Sequence, residues 1–258
     1  MGFRRFGTPR SVGSAVRAVT PPPSTPAEIL TGMVLEMDAA NIDGIGDVST
    51  WYGNAIQITP DVDQFDSVHR ATWNVSDADF NSEPTAVFSG NDAASAKYYE
   101  TNALTGLTEG EVWAVLACDY DFGSGWPGVA YTGLWTMGTS VYVTQYSATN
   151  GHILDGFGSD TRKDYGDQSS LPIAEPHIYN VSSTAGEYIA RCNGVTVYST
   201  ATNTAAFPST ARVGSSSGGS VVFNGRLAYL VVCDQVQSPT ARAQMNTYLS
   251  QRFAITLP

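Results

Sequence analysis

Apolar and polar residues along this chain alternate with a period of two over short runs, and near the C-terminus the period lengthens to that of a helix. From Gly225 to Asp234 the two alternating sets are Ala228, Leu230, Val232 and Leu227, Tyr229, Val231, Cys233. Both faces are apolar, so this strand belongs inside a layered sheet. Asn224-Gly225 just before it reads as a hairpin turn. Ser238 can accept from a free helix N–H, and Pro239 fits the first helical position, where its missing donor costs nothing. Ala241, Met245, Tyr248, Leu249 and Arg252 then recur at helical spacing and predict a helix over about 239 to 252, packed on the outside of a sheet.

Further strands are expected near 33 to 38, 85 to 89, 96 to 100, 111 to 119, 128 to 136, 140 to 146, 176 to 182, 186 to 191, 195 to 199, 211 to 213 and 220 to 223. The stretches 41 to 83 and 147 to 175 are polar and rich in Asp and Gly, and read as long loops, where binding would reside. Many short antiparallel-type strands without a blade-length repeat predict an all-β fold: a two-sheet antiparallel jelly-roll sandwich with one C-terminal helix. Residues 1 to 27 differ: they hold no acid, little large apolar content beyond Phe3 and Phe6, and the run Pro21-Pro22-Pro23. Polyproline is stiff and cannot join a sheet, so this segment reads as an extended arm and residues 28 to 258 as the jelly-roll domain.

The run FNGRLAYLVVCDQVQSPTARAQMNTYLSQRF resembles the closing segment of concanavalin A-like (laminin-G-like) jelly-roll domains, where an FNG-x-[IL]-A-E strand precedes a helix ending in YL-x-x-[RK]-[YF]. MVLEMDAANIDGIGDVSTW is similar to their opening L-x-L-D-A strand and loop, and YIARCNGVTVYS to their Y-x-N-G-x-x-V hairpin. The similarity covers roughly residues 30 to 257 and departs at Tyr229, where those domains carry an acidic residue. Such domains occur in adhesins, polysaccharide enzymes and phage virion proteins, so the resemblance implies a fold more sharply than a function.

Charge narrows the partners. Residues 28 to 258 hold all 24 acidic residues and nine of the 13 basic ones, a net of −15, while Arg4, Arg5, Arg10 and Arg17 precede them. A domain that acidic repels nucleic acid and anionic membranes. The arm, with Phe3, Arg4, Arg5, Phe6, Arg10 and Arg17, reads as a partner-anchoring segment that pairs charge and buries side chains. Cys118, Cys192 and Cys233 each fall in an apolar strand pattern and read as buried free thiols. Neither a signal-peptide h-region nor a membrane-length apolar run is present in the sequence.

The polysaccharide-enzyme branch of the resembled fold implies carboxylates on one strand face as E-x-D-x-(x)-E, and this chain has no such run. Glu109 and Glu111 flank a strand start and Asp119 and Asp121 its end, where turn capping is the simpler role. His69, His152 and His177 lie far apart and lack helpful neighbours. Asn41, Asp43 and Asp47 set hard oxygen ligands among glycines, a candidate calcium loop that fails the EF-hand register; Asp155, Asp160, Asp164 and Asp167 form a second acidic loop. Trp126, Tyr131, Trp135, Tyr142 and Tyr146 cluster in sequence, with Thr144 between the last two, and are candidate sugar-stacking rings. Gly214 to Gly219 lacks the Lys and following helix of a phosphate loop.

The resulting expectation is a non-enzymatic structural protein of a tailed-phage virion, either capsid decoration or fibre-type. It would be made in the host cytoplasm and displayed at the virion surface, its arm docked on other virion subunits. No cofactor is expected beyond the calcium candidate; a host surface glycan and a homo-oligomer remain open as partners. The second reading is a carbohydrate-binding adhesin or receptor-binding module, and the third a polysaccharide hydrolase.

Overall fold

The computed structural model describes residues 25–42, 50–51, 62–63, 67–90, 94–119, 131–140, 144, 146–148, 151–215 and 221–258. In chain order the strands are β1 (Met33–Asp38), β2 (Thr50–Trp51), β3 (Val62–Asp63), β4 (Thr72–Asn74), β5 (Thr85–Phe88), β6 (Tyr99–Thr101), β7 (Gly110–Cys118), β8 (Tyr131–Thr132), β9 (Trp135–Thr136), β10 (Ser147–Ala148), β11 (His152–Asp155), β12 (Lys163–Asp167), β13 (His177–Thr184), β14 (Glu187–Cys192), β15 (Val195–Thr200), β16 (Ala211–Val213) and β17 (Gly225–Cys233). A four-residue helical turn, α1 (Pro26–Ile29), opens the described chain, and a 15-residue helix, α2 (Pro239–Phe253), closes it.

The larger sheet runs β15-β14-β13-β7-β17-β5-β4, with β1 also pairing β17; the smaller runs β2-β3-β6-β16-β9, and every pairing is antiparallel. β7 and β17 are central and apolar on both sides because two different layers cover them. Val112, Ala114, Leu116, Leu227, Leu230 and Val232 face inward onto Tyr99, Trp135, Ala211 and Val213 of the smaller sheet. Trp113, Val115, Ala228, Tyr229 and Val231 face outward and are covered by Met245, Leu249 and Phe253 of α2. Fully burying each such helix side chain contributes roughly 1.5–3 kcal/mol. The chain is therefore an all-β, two-sheet sandwich with one substantial helix on the outer face of the larger sheet.

The helix start follows its sequence signal. Ser238 Oγ accepts from the Ala241 N–H at 3.1 Å, and Pro239 is the first helical residue. Arg242 and Arg252, the helix's two charged side chains, both turn toward the sheet: Arg242 to Glu111, and Arg252 to Asp38 and Glu83. At the position that departs from the concanavalin A-like pattern, the Tyr229 hydroxyl donates to Glu36 Oε1 at 2.7 Å, so the polar contact is kept with the acid on the neighbouring strand.

Three expectations are corrected. Asn224-Gly225 is no hairpin turn, because residues 221–222 form only an isolated bridge between Val222 and Ser215. Asn224 instead clamps the backbone of Gly90, accepting from its N–H at 3.0 Å and donating to its carbonyl at 3.2 Å. Gly225 follows because a Cβ there would stand 2.3 Å from the Ala117 carbonyl oxygen. The two expected long loops contain strands: β2, β3 and β4 in the first, and β10, β11 and β12 in the second. Glu111 is no turn cap but a fully buried acid in mid-sheet. The three cysteines are free and buried, and burial pushes the Cys192 thiol up to about 12. Among the described residues, no helix is long and apolar enough to cross a membrane.

Candidate functional site

Trp135 and Tyr146, two of the expected sugar-stacking rings, lie fully inside the sandwich, where they meet around Asp155 at the end of β11. Asp155 Oδ1 accepts from Trp135 Nε1 (2.9 Å), Thr144 Oγ1 (2.9 Å) and the N–H groups of Gly156 (2.7 Å) and Phe157 (3.1 Å). Its Oδ2 accepts from the Tyr179 hydroxyl at 2.8 Å. Burial pushes this carboxyl above the usual range, and the donors from Trp135, Tyr179, Thr144 and Gly156 pull it back only in part. The Tyr165 hydroxyl lies 3.0 Å from those of both Tyr179 and Tyr188, and burial pushes all three phenols well above their ordinary value.

His177 extends the same network. Its Nδ1 contacts the Glu175 carbonyl at 2.8 Å and must donate there, so Nε2 accepts from the Tyr146 hydroxyl at 2.6 Å. Burial pushes the imidazole down to about 4. The sugar-stacking expectation for Trp135 and Tyr146 is thus corrected: their faces are packed against Tyr179, and their polar ends are spent on Asp155 and His177. Trp126 and Tyr142 lie outside the described residues, and Tyr131 is placed by its backbone in β8.

A second polar cluster lies on the outer face of the smaller sheet. In β6 and β16, Tyr99, Thr101, Ala211 and Val213 point inward and are buried, which sends Glu100 and Arg212 outward. Strand register sets Arg212 opposite Glu100 on one side and Thr136 on the other. Arg212 Nε donates to Glu100 Oε1 at 3.1 Å, and Nη2 reaches the same oxygen. The guanidinium carbon sits 4.0 Å from the Tyr98 ring centroid, and the His69 ring lies tilted 4.9 Å from Tyr98. His69 Nδ1 donates to the Ala96 carbonyl at 2.6 Å, Lys97 Nζ to the Val68 carbonyl at 2.6 Å, and the Tyr98 N–H to the His69 carbonyl at 3.0 Å.

These bonds zip residues 67–70 onto 96–98 and hold Tyr98 beneath the ion pair. The Glu100 side chain is 45% exposed and that of Arg212 19%. A guanidinium and a carboxylate fixed side by side offer donors and acceptors to adjacent hydroxyls, and the rings add apolar contact. Of these residues only His69 was weighed from the sequence, and Arg212, Glu100, Tyr98 and Lys97 were not. Their only signal is a lone charge at the outward position of two short strands, YET and ARV.

The remaining candidates are dispersed. Asn41 ends a short turn after β1, while Asp43 and Asp47 lie outside the described residues. Asp155 points into the core, Asp164 bonds His152 Nδ1 at 2.8 Å, Asp160 bonds the Thr161 hydroxyl and Asp167 the Ser169 N–H. Among the described residues no three His, Cys, Asp or Glu side chains converge as metal ligands. His152 and His177 do have polar neighbours, contrary to expectation: His152 bonds Asp164 and His177 bonds the Tyr146 hydroxyl. Phe3, Arg4, Arg5, Phe6, Arg10 and Arg17 of the arm lie outside the described residues.

No family model and no curated protein matches the chain. Among solved structures, it is similar to botulinum neurotoxin type C, whose cell entry depends on two ganglioside molecules (TM-score 0.53, 10% identity, 88% of this chain and 53% of that one). It is also similar to an arabinofuranosidase complexed with arabinofuranosyl-α-1,2-xylobiose (0.53, 14%, 81% and 51%) and to Trypanosoma rangeli sialidase with a 2,3-difluoro-KDN ligand (0.51, 11%, 86% and 33%). The chain spans between a third and about half of these proteins' lengths. At such identities the likeness shows a shared β-sandwich fold. The expectation of a non-enzymatic chain is overturned here: a sialidase and an arabinofuranosidase, both enzymes, share the fold.

Proposed function

We propose that the chain is a carbohydrate-recognition domain of the concanavalin A-like type, binding neutral glycans on the outer face of its smaller sheet. The observation that carries this reading is the partly exposed Arg212–Glu100 pair fixed over Tyr98 on the outer face of the smaller sheet. Sugar hydroxyls both donate and accept, so a guanidinium and a carboxylate held at adjacent positions can each take a bond from one ring. The named ligands of the structural neighbours, a ganglioside and two sugar derivatives, support carbohydrate as the ligand class for the fold. Charge selects among glycans: a domain of −15 disfavours sialylated chains and leaves neutral ones.

An array of neutral and sialylated oligosaccharides, probed with the chain and with Arg212→Ala, tests this reading. Neutral glycans are expected to bind, and Arg212→Ala to weaken them roughly 10- to 100-fold, the worth of one charge-assisted hydrogen bond. Binding left unchanged by the substitution, or no glycan bound at all, overturns it. The phage-virion setting expected from the sequence is a proposal of the same kind, supported by the basic segment ahead of an acidic domain. Detection of the chain in purified particles by mass spectrometry tests that setting.

A further inference from the structure

The strands of the smaller sheet are only two or three residues long, and their register lines up one position from each. Arg212 stands between Glu100 and Thr136, Glu100 lies opposite Asp63 on β3, and Asp63 lies opposite Thr50 on β2. Neighbouring strands are about 4.8 Å apart, so this row crosses all five strands over roughly 19 Å. Threonine, aspartate, glutamate, arginine and threonine follow one another along it, each a residue type that hydrogen-bonds.

Tyr98 does not offer its ring as a stacking platform. The Arg212 guanidinium lies over the ring at 4.0 Å and His69 packs against it at 4.9 Å, so the ring holds the ion pair in place. Binding then rests on hydrogen bonds, and each adds little net affinity because it replaces bonds to water. A single sugar on Arg212 and Glu100 gains few of them. Linked sugars along a row gain more, each at the effective concentration that its neighbour sets.

Resting on the glycan reading above, we propose that the ligand is the interior of a linear neutral polysaccharide, about four sugars of it, laid across β9, β16, β6, β3 and β2. A pyranose with its linking oxygen advances an extended chain by about one strand spacing, so each sugar bridges two adjacent positions of the row. Four such steps lead from Thr136 to Thr50. The row holds two acids to one base, which selects further: a chain of uronic acids brings its carboxylates to positions 63 and 100, where like charge opposes them. Recognition is thus of a backbone over its length, with Arg212 and Glu100 as the fixed centre.

Calorimetry of the chain with gluco-, xylo-, manno- and galacto-oligosaccharides of one to six units tests the proposal. For the backbone that binds, affinity is expected to rise about tenfold or more from disaccharide to tetrasaccharide and to level off there. Asp63→Ala is expected to weaken the tetrasaccharide about tenfold, the worth of one hydrogen bond to a charged group. It leaves the disaccharide unchanged, which shows that the sheet is still folded, whereas Arg212→Ala weakens every length. Equal affinity for disaccharide and hexasaccharide overturns the extended ligand while glycan recognition stands, as does normal tetrasaccharide binding by Asp63→Ala. Binding of no member of the series, or binding that Arg212→Ala leaves unchanged, overturns both readings.

Discussion

Arg242, near the start of α2, donates to both carboxylate oxygens of Glu111 on β7, at 2.7 Å from Nε and 2.9 Å from Nη2, while the Glu111 side chain is wholly enclosed. Asn180 Nδ2 and the Gln237 N–H add bonds at 2.9 Å and 2.8 Å, so the acid joins β7, β13 and the approach to the helix. Arg191 stands 3.9 Å away and shares the same counter-charge. Glu111→Gln leaves two guanidinium groups without it. The expected cost is about 3–5 kcal/mol, as for other broken buried pairs. Urea denaturation reads it as a lower midpoint at an unchanged slope.

The apolar side of the same helix gives a separate prediction. Leu249 is fully buried against the larger sheet, so Leu249→Ala is expected to cost about 2–5 kcal/mol. Ser238→Ala removes only the bond to the Ala241 N–H, for about 1 kcal/mol. An unshifted thermal midpoint in Leu249→Ala would show that α2 is not part of the core.

Residue Ala254, which ends the helix, sits in the left-handed region with φ 54°. Glycine adopts that conformation without a Cβ penalty, so Ala254→Gly is expected to stabilise the chain by about 1 kcal/mol. Equal or lower stability in that variant contradicts the left-handed cap.

His177 makes stability depend on pH. Its folded pKa is about 4 against an ordinary 6.5, so as the pH falls below 6.5 the unfolded chain takes up a proton that the folded chain refuses. Stability is complete above 6.5, declines toward pH 4 and levels off there, with a loss of about 3 kcal/mol. Asp155 acts oppositely: its raised pKa favours the folded state at low pH and stops doing so as the pH rises. The histidine contribution is isolated by comparing the chain with His177→Gln at pH 7 and pH 4.5. The difference between them should shrink on acidification, and a pH-independent difference rules out the buried neutral imidazole.

The parts of the fold that were legible in the sequence are those where local chemistry and burial agree. β17 is apolar at both alternating positions because it has neighbours on both faces, and α2 begins at a Ser-Pro cap. β12 was hidden because Lys163, Asp164, Gly166 and Asp167 face outward around the single buried Tyr165, and its pairing with β11 rests on contacts such as His152 with Asp164 that appear only once the strands are side by side. The candidate site was hidden for a related reason. Arg212 and Glu100 are 112 residues apart, and only the register of β16 on β6 brings them together. Trp135 and Tyr146 are recognisable as aromatic, but their inward direction goes with polar partners that the sequence does not single out, the buried Asp155 for Trp135 and the buried His177 for Tyr146.

The strand at the centre of the larger sheet is the last one made. β17 lies between β7 and the pair β1 and β5, so during synthesis β1 waits about 190 residues for the partner that buries it. At roughly 5–20 residues per second, β1 is without that common neighbour for about ten seconds or more and β5 for about seven or more. Pairings this distant in sequence also fold slowly once complete. A ribosome stalled before residue 225 therefore holds a sheet split down its middle, a state that invites chaperones and that nothing upstream in the chain can repair.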